Sequence, residues 1–470
     1  MVASFPRRSA QVAAVTLLFL LPGCALFETR ARYHTLSRSY EHESEVAAVV
    51  ASDVPFGGAV TLDRSVLVAE VLRRNPTIAA ARKAWRAALA RYPQETALED
   101  PMIGAGLGPR SFGSRQVGDA YRIEASQAFP FPGKLALRGA AALAEAEAMA
   151  QDYQAVRVRL AAMASALYDD AWLQARSLEI TLRHVELVRE DHAAALGAYE
   201  SGVGSQQDPL RAELEEAALL HQQVEFETAQ KVSAAQLAAL LHVGDGAAIP
   251  PLPDELPALT SPSDPNQTLA DRALQERPEL RAADARIDAK RAAEALARRE
   301  FFPDFKIVGA YDTFWEIPDQ RPFVGLEFNV PLQIGRRRAA LEEARAEAEQ
   351  ASLERQSAAD EIRAEVESAA ERLHESRHLL SITRDRMIPA ARDGLAAARA
   401  GYETGEAPFR DLIEAERALR SAELEERRAV AEQSRRAGEL LAALGVPPGA
   451  PPESTAPEPT SPASDGGSHD

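Results

Sequence analysis

No disulfide can form within this 470-residue chain, because it contains a single cysteine, Cys24. Nor is there an excess of positive charge. The 53 Lys and Arg residues stand against 71 Asp and Glu, a formal net charge of −18, which argues against a nucleic-acid partner, since phosphate binding needs a cationic face. The apolar run near the start, Val12 to Leu21, is too short to span a bilayer as a helix. No nucleophile with a placed base, phosphate-binding glycine loop or cysteine cluster is present, so nothing points to an enzyme or to a bound cofactor. Proline is missing between Pro132 and Pro209. That gap is rich in Ala, Leu, Glu and Arg, all good helix formers, and reads as one very long helix from Lys134 to about Gly204.

What is present is a duplication. Gly197-Ala198-Tyr199-Glu200-Ser201-Gly202, followed by Asp208-Pro209-Leu210, is repeated as Ala400-Gly401-Tyr402-Glu403-Thr404-Gly405, followed by Asp411-Leu412. Tyr199 matches Tyr402, Gly202 matches Gly405 and Asp208 matches Asp411 at one constant offset. A Tyr-Glu-Ser/Thr-Gly step followed by a Pro and a new Ala/Glu/Leu run ends one helix and begins another, so each copy is the tip of a helical hairpin. A period of about 200 residues makes the chain two copies of one large unit, 61–248 and 267–445, joined by a Pro-rich linker, 249–266.

Each unit opens with a helical stretch interrupted at an X-Pro step: Asp63 to about Leu98 at Asn75-Pro76, and Leu269 to Phe301 at Arg277-Pro278. Two strand-like segments follow in each, Met102–Gly108 with Tyr121–Phe129, and Phe305–Trp315 with Phe323–Val330. In the returning segments apolar Tyr121, Ile123 and Ala125 alternate with Arg122, Glu124 and Ser126. This is the period-two pattern of a strand between lipid and lumen, although a soluble two-sided sheet shows it too. Four strands cannot close a transmembrane barrel, so several chains must contribute. Then comes the long helix, Lys134 to about Gly204 in the first unit and Arg336 to about Thr404 in the second, where Pro389 should kink or break it. Shorter helices run from about Pro209 to His242 and from Pro408 to Leu444. The fold class is mainly α with a small β part.

At the N-terminus, Arg7 and Arg8, the apolar run and Leu21-Pro22-Gly23-Cys24 have the form of a signal peptide over 1–23. Cys24 stands where a bacterial lipoprotein carries its lipidated cysteine; the plainer alternative is an ordinary leader with a chance cysteine. Residues 24–60 lack helical periodicity and read as an extended leader, and 446–470, dominated by Pro, Ser, Gly and acids, reads as disordered.

The lipoprotein signal, the two tandem units and the Tyr-x-x-Gly…Asp-x-x-Glu-Ala stretch together resemble the TolC family of outer-membrane efflux channels. Phe129-Pro130-Phe131-Pro132-Gly133-Lys134-Leu135 is similar to the lipidated heavy-metal branch. The resemblance implies a homotrimer in which twelve strands close one barrel in outer-membrane lipid and long helices form a tunnel across the periplasm. It also implies a periplasmic adaptor and an inner-membrane pump as partners, with metal cations as cargo. A lipidated periplasmic scaffold that bridges membranes without conducting is the alternative, but such adaptors have one hairpin rather than two.

By the same resemblance, Asp411 and Glu414 line the periplasmic entrance with Asp208 and Tyr402, and the tips Gly202 and Gly405 meet the adaptor. The bland alternative is that acids in a first helical turn complement the helix dipole, and that Asp208 is an N-cap before Pro209. Ala407 departs from the best-known members, which carry an Arg there that helps to hold the entrance shut. His374 and His378, four apart on a helix, fit a solvated, charge-laced face better than a metal site.

Overall fold

The computed structural model describes residues 27–45, 56, 60–116, 118–244, 249–262 and 265–450. The signal segment and Cys24 lie outside them. Two X-Pro steps punctuate the helices as the prolines require. α2 (Arg64–Arg74) stops at Asn75, whose ψ of 123° is extended, and α3 (Pro76–Leu89) starts on the proline, followed by α4 (Arg91–Thr96). In the second unit α7 (Asn266–Glu276) gives way at Arg277, ψ 125°, to α8 (Pro278–Arg299). The residue before proline is driven out of the helical region by the ring's Cδ, and the proline then occupies the first turn, where its missing N–H costs nothing.

The long helix of the first unit is unbroken: α5 spans Lys134–Glu200, 67 residues, about 100 Å at the helical rise. Its counterpart divides into α9 (Ile334–Ile382), a π-helical turn Thr383–Met387, and α10 (Ile388–Glu403). Pro389 neither breaks nor ends this helix. The wider π turn just before it makes room for the pyrrolidine ring and for the hydrogen bond that proline cannot donate. The descending helices are α6 (Gln207–Leu241) and α11 (Phe409–Ala443). Among the described residues no helix is long and apolar enough to cross a membrane.

Two compact bodies are distinguishable. One, built from 1–51, 77–156 and 271–364, holds a four-stranded antiparallel sheet in the order β1 (Met102–Leu107), β2 (Tyr121–Phe129), β3 (Phe305–Asp312), β4 (Pro322–Phe328). The pairings Ala105 with Ile123, Ile123 with Tyr311, Gln127 with Ile307 and Ile307 with Leu326 put Ile103, Leu107, Tyr121, Ile123, Ile307, Tyr311, Val324, Leu326 and Phe328 on one face, because side chains alternate along a strand. The other face carries Arg122 bound to Glu124 (2.9 Å) and Lys306 bound to Glu327 (2.6 Å). Phe129 stacks on Phe305 at one end of the apolar face and Tyr121 lies against Tyr311 at the other.

Below the sheet, the Pro-Phe-Pro-Gly turn places Gly133 at φ +92° and starts α5 on the buried Lys134. The Lys134 ammonium bonds Asp304 (2.9 Å), Glu300 (3.2 Å) and the Phe302 carbonyl (3.3 Å). The expected extended leader is instead helical over 27–45, α1. Its anchors are aromatic rather than aliphatic: Tyr33 stacks on Tyr92 at 4.6 Å and Tyr40 meets the edge of Trp85 at 5.2 Å. With Leu36 between them the spacing is helical, but it is too sparse in aliphatic residues to stand out as a stripe.

The other body, 52–76, 157–270 and 365–470, is tied together by Arg64. Its guanidinium bonds Asp169 (2.7 and 3.2 Å) on α5, Ser165 (2.8 Å) and Ser434 (2.8 Å) on α11, and the Pro257 carbonyl (3.5 Å), and it lies over the Tyr168 ring. The Pro-rich linker is held by its carbonyls, which proline leaves free to accept. Pro251 takes the Leu62 N–H (2.9 Å) and Pro253 the Trp172 indole N–H (3.0 Å). The segment expected to be disordered from 446 is ordered over 446–450. Val446 bonds back to Leu441, and Gly449, at φ +69°, passes so close to Arg64 that a Cβ there would meet its Cδ at 2.8 Å. Residues 451–470 lie outside the described residues.

Candidate functional site

The two tips close with the same hydrogen bonds. In the first, Ser201, Gly202, Val203 and Gly204 donate to Gly197, Tyr199, Ala198 and Ala198; in the second, Thr404, Gly405, Glu406 and Ala407 donate to Ala400, Tyr402, Gly401 and Gly401. Gly202 and Gly405 both sit at φ +76°, a left-handed conformation that a Cβ would strain, so each ends its helix with the last carbonyls satisfied.

One pair of positions differs between the tips, and the two changes compensate. A Cβ on Gly204 would lie 3.0 Å from that of Ala198, and a Cβ on Gly401 would lie 2.9 Å from that of Ala407. Gly204 corresponds to Ala407 and Ala198 to Gly401, so each tip has room for one methyl and places it on the opposite member of the pair. Ala407 is therefore fixed by packing. Gly401→Ala should cost about 1–3 kcal/mol as an overpacked contact, and adding Ala407→Gly should restore most of it. Denaturation of the two single variants and the double variant measures the coupling, and additive losses would show that the methyls do not compete.

Asp411, half-buried in the first turn of α11, and Glu414, exposed one turn further on, both approach Arg410, whose guanidinium is 3.1 Å from Asp411 and 3.7 Å from Glu414. Asp208 is not an N-cap. α6 already runs through it, and its carboxylate accepts the Ser205 N–H (3.3 Å) while the Ser205 hydroxyl accepts the Gln207 N–H (3.2 Å). That is a capping box with Ser205 as the cap. Tyr402 packs on Phe409 (5.3 Å) beside the buried cluster of Ala195, Ala212, Phe409, Leu412 and Ile413. Burial, and then the Asp208 and Asp191 carboxylates, push its hydroxyl pKa up.

Behind the tips lies a charged seam that motif spacing did not reveal. Glu215 of α6 is buried between Arg417 and Arg420 of α11 (2.7 Å to Arg420). Burial alone would raise its carboxyl, but the two guanidinium bonds hold it below the usual range. One turn away, Glu416 of α11 is 4% exposed and faces Asp191 of α5, with the inner oxygen of each left without a hydrogen-bond donor. Arg399 of α10 reaches it only at 3.5 Å. Burial first, then the facing Asp191 carboxyl and its charge, raise the Glu416 pKa to about 8. The signal was present in the sequence: Phe409, Leu412, Ile413 and Glu416 form an i, i+3, i+4, i+7 stripe, so an acid occupies a position that belongs to the buried face.

A family model described as "Outer membrane efflux protein" matches residues 67–242 and 269–446, one match for each repeat. Among solved structures, the outer-membrane channel OprN is 23% identical, covering 81% of this chain and 89% of its own with a TM-score of 0.68. CusC, described in connection with folding and transmembrane channel formation, is 18% identical over 83% and 94%, TM-score 0.70. The outer membrane protein VceC from Vibrio cholerae is 18% identical over 82% and 96%, TM-score 0.68. No curated protein sequence matches the chain.

Proposed function

The chain belongs to the outer membrane efflux protein family, and from that premise we propose that it is the outer-membrane channel of a tripartite efflux system, a lipid-anchored homotrimer fed by a periplasmic adaptor and an inner-membrane pump. The observation that carries this is the sheet. One face is apolar except for Gln127, the other holds ion pairs, and β1 and β4 end the sheet with no further strand beside them among the described residues. In lipid, open edges are prohibitive and barrels begin at about eight strands, so three chains supplying twelve strands close the structure. β2, at nine residues, has the length that a tilted strand needs to cross the hydrocarbon core. Native mass in detergent tests the stoichiometry and planar-bilayer conductance tests the pore. A stable detergent-free monomer would contradict both.

The tips Gly202 and Gly405 are the adaptor contacts in this reading, and Cys24 carries the lipid. The Phe-Pro-Phe-Pro-Gly-Lys turn supports metal cations as cargo; loss of metal tolerance on deletion, with dyes and antibiotics unaffected, is the test. Asp411 and Glu414, with Asp208 and Tyr402 behind them, line the entrance, and three copies gather around the axis. Arg410 offsets part of that charge. Asp411→Ala with Glu414→Ala should lower cation selectivity in planar bilayers, and Arg410→Ala should raise it, because a ring of carboxylates concentrates cations. Unchanged selectivity in both variants would leave the acids with only a helix-dipole role.

A further inference from the structure

A buried carboxyl set against a second, half-buried one needs a proton between them. Asp191 comes from the first hairpin, two and a half turns before its tip, and Glu416 from the second, on the helix that leaves the other tip. Asp191 Oδ2 and Glu416 Oε2 are both shielded from solvent and neither receives a hydrogen bond from any donor group, and the two carboxyl groups lie against each other, Asp191 one turn from Ala195 and Glu416 one turn from Leu412 in the same packed seam. Between two acceptor groups, an acidic proton held by one carboxyl and accepted by the other is what would satisfy both oxygens. We propose that one proton shared by Asp191 and Glu416 latches the first hairpin to the second behind the tips, and that its loss to solvent as pH rises releases them.

The surroundings supply no substitute. α10 contributes Arg399, 3.5 Å from Glu416 and half exposed, and Tyr402, which is neutral. α6 contributes Glu215, whose charge is taken up by Arg417 and Arg420 of α11, and Asp208, which bonds the Ser205 backbone. One cation thus faces two carboxyls. When the proton leaves, two carboxylates remain in a buried seam with one long-range guanidinium, and like charges at low dielectric repel. The raised Glu416 pKa agrees in sign. A carboxyl whose pKa in the closed state stands at about 8, above its ordinary 4.5, stabilises that state fully below the ordinary value and loses this contribution as pH rises through the raised one.

Hydrogen exchange of the full chain in detergent, with each rate divided by its intrinsic chemical rate, reads the latch at the amides around Asp191 and Glu416. Opening should increase by up to about tenfold per pH unit as pH climbs toward about 8 and then level off, the limit for a single linked proton. Glu416→Gln keeps a donor toward Asp191 without a titratable proton, and Asp191→Asn does the same from the other side; both should flatten the profile and hold the tips protected at high pH. The protonated-carboxyl infrared band should disappear from the wild type on raising the pH and be missing from both variants. A flat wild-type profile, or an unchanged slope in both variants, overturns the latch. Only the conductance arm, in which open probability rises with pH in the wild type and not in Glu416→Gln, rests on the channel reading. A protein that does not conduct but keeps the exchange slope supports the latch and refutes the channel.

Discussion

Replacing Arg64 with Met should destabilise the protein by about 3–5 kcal/mol near pH 8, the range for stranding a buried charge by removing its partner. Asp169 is fully buried, and its only charge-bearing hydrogen-bond partner among the described residues is Arg64 at 2.7 Å, with Ser434 adding a hydroxyl at 3.1 Å. Burial already outweighs the attraction of Arg64 and pushes the Asp169 pKa to about 6. The sign follows from that value. A carboxyl raised above its ordinary 3.8 stabilises the fold fully below that pH and loses its contribution as pH rises through about 6, and removing Arg64 raises it further. The penalty of Arg64→Met should therefore shrink at about pH 5, where the carboxyl is largely protonated with or without the arginine. The double variant Arg64→Met with Asp169→Leu should recover much of the loss at pH 8, since an apolar pair of similar volume is often as stable as a buried ion pair. Denaturant unfolding in detergent at both pH values measures this. A loss that does not depend on pH would mean that Arg64 acts through packing against Tyr168 and Gly449 rather than through charge.

The architecture was legible wherever local chemistry and the fold agree. Pro76 and Pro278 mark helix starts because no tertiary contact can restore a missing N–H, and the tips repeat because positive φ at Gly202 and Gly405 admits few other residues. β2, with its clean alternation, matched its expected bounds at Tyr121 and Phe129. The failures have one cause in common: tertiary partners that composition does not show. α1 was missed because Tyr33 and Tyr40 dock on Tyr92 and Trp85, far away in sequence. Gly449 looked like part of a disordered tail because its reason for being ordered, the flank of Arg64, lies at the other end of the chain. Pro389 does not break its helix, because the π turn before it takes up the hydrogen bond that proline cannot donate.

The candidate site divides in the same way. Motif spacing located Asp411, Glu414, Asp208 and Tyr402, the residues on the outside of the tips. It passed over Asp191, Glu215 and Glu416, which lie inside, because a buried acid is recognisable only once the helix stripe to which it belongs is set against its neighbour. Ala407 is the clearest case. Alone it reads as the loss of an arginine, but beside Gly401 it reads as the mirror of Gly204 beside Ala198, a choice dictated by the space for one methyl group.

The face of the sheet that meets lipid can be settled by a single lysine. Leu326, in the middle of β4 and 56% exposed, pairs with Ile307 on the largely apolar face. A lysine on a lipid-facing strand near the bilayer midplane costs about 2–4 kcal/mol, and in the proposed trimer the cost recurs in every chain, so Leu326→Lys should remove most of the oligomer recovered from the outer-membrane fraction in detergent. Ala310 lies three residues along β3 from Ile307, the partner of Leu326, and on the opposite face, paired with Glu124 and Phe323, where Arg122, Lys306 and Glu327 already stand. Ala310→Lys places its ammonium opposite the Glu124 carboxylate, an opposite-charge cross-strand pair that contributes roughly 0.2–1 kcal/mol in favour of pairing. The two lysines differ chiefly in face, so the contrast between them reads which face meets lipid. If Ala310→Lys abolishes assembly while Leu326→Lys is tolerated, the charged face is the one turned outward and the ion pairs are buried in another contact. If neither lysine matters, the sheet is bathed in water on both sides, and the apolar face awaits a protein partner instead of a membrane.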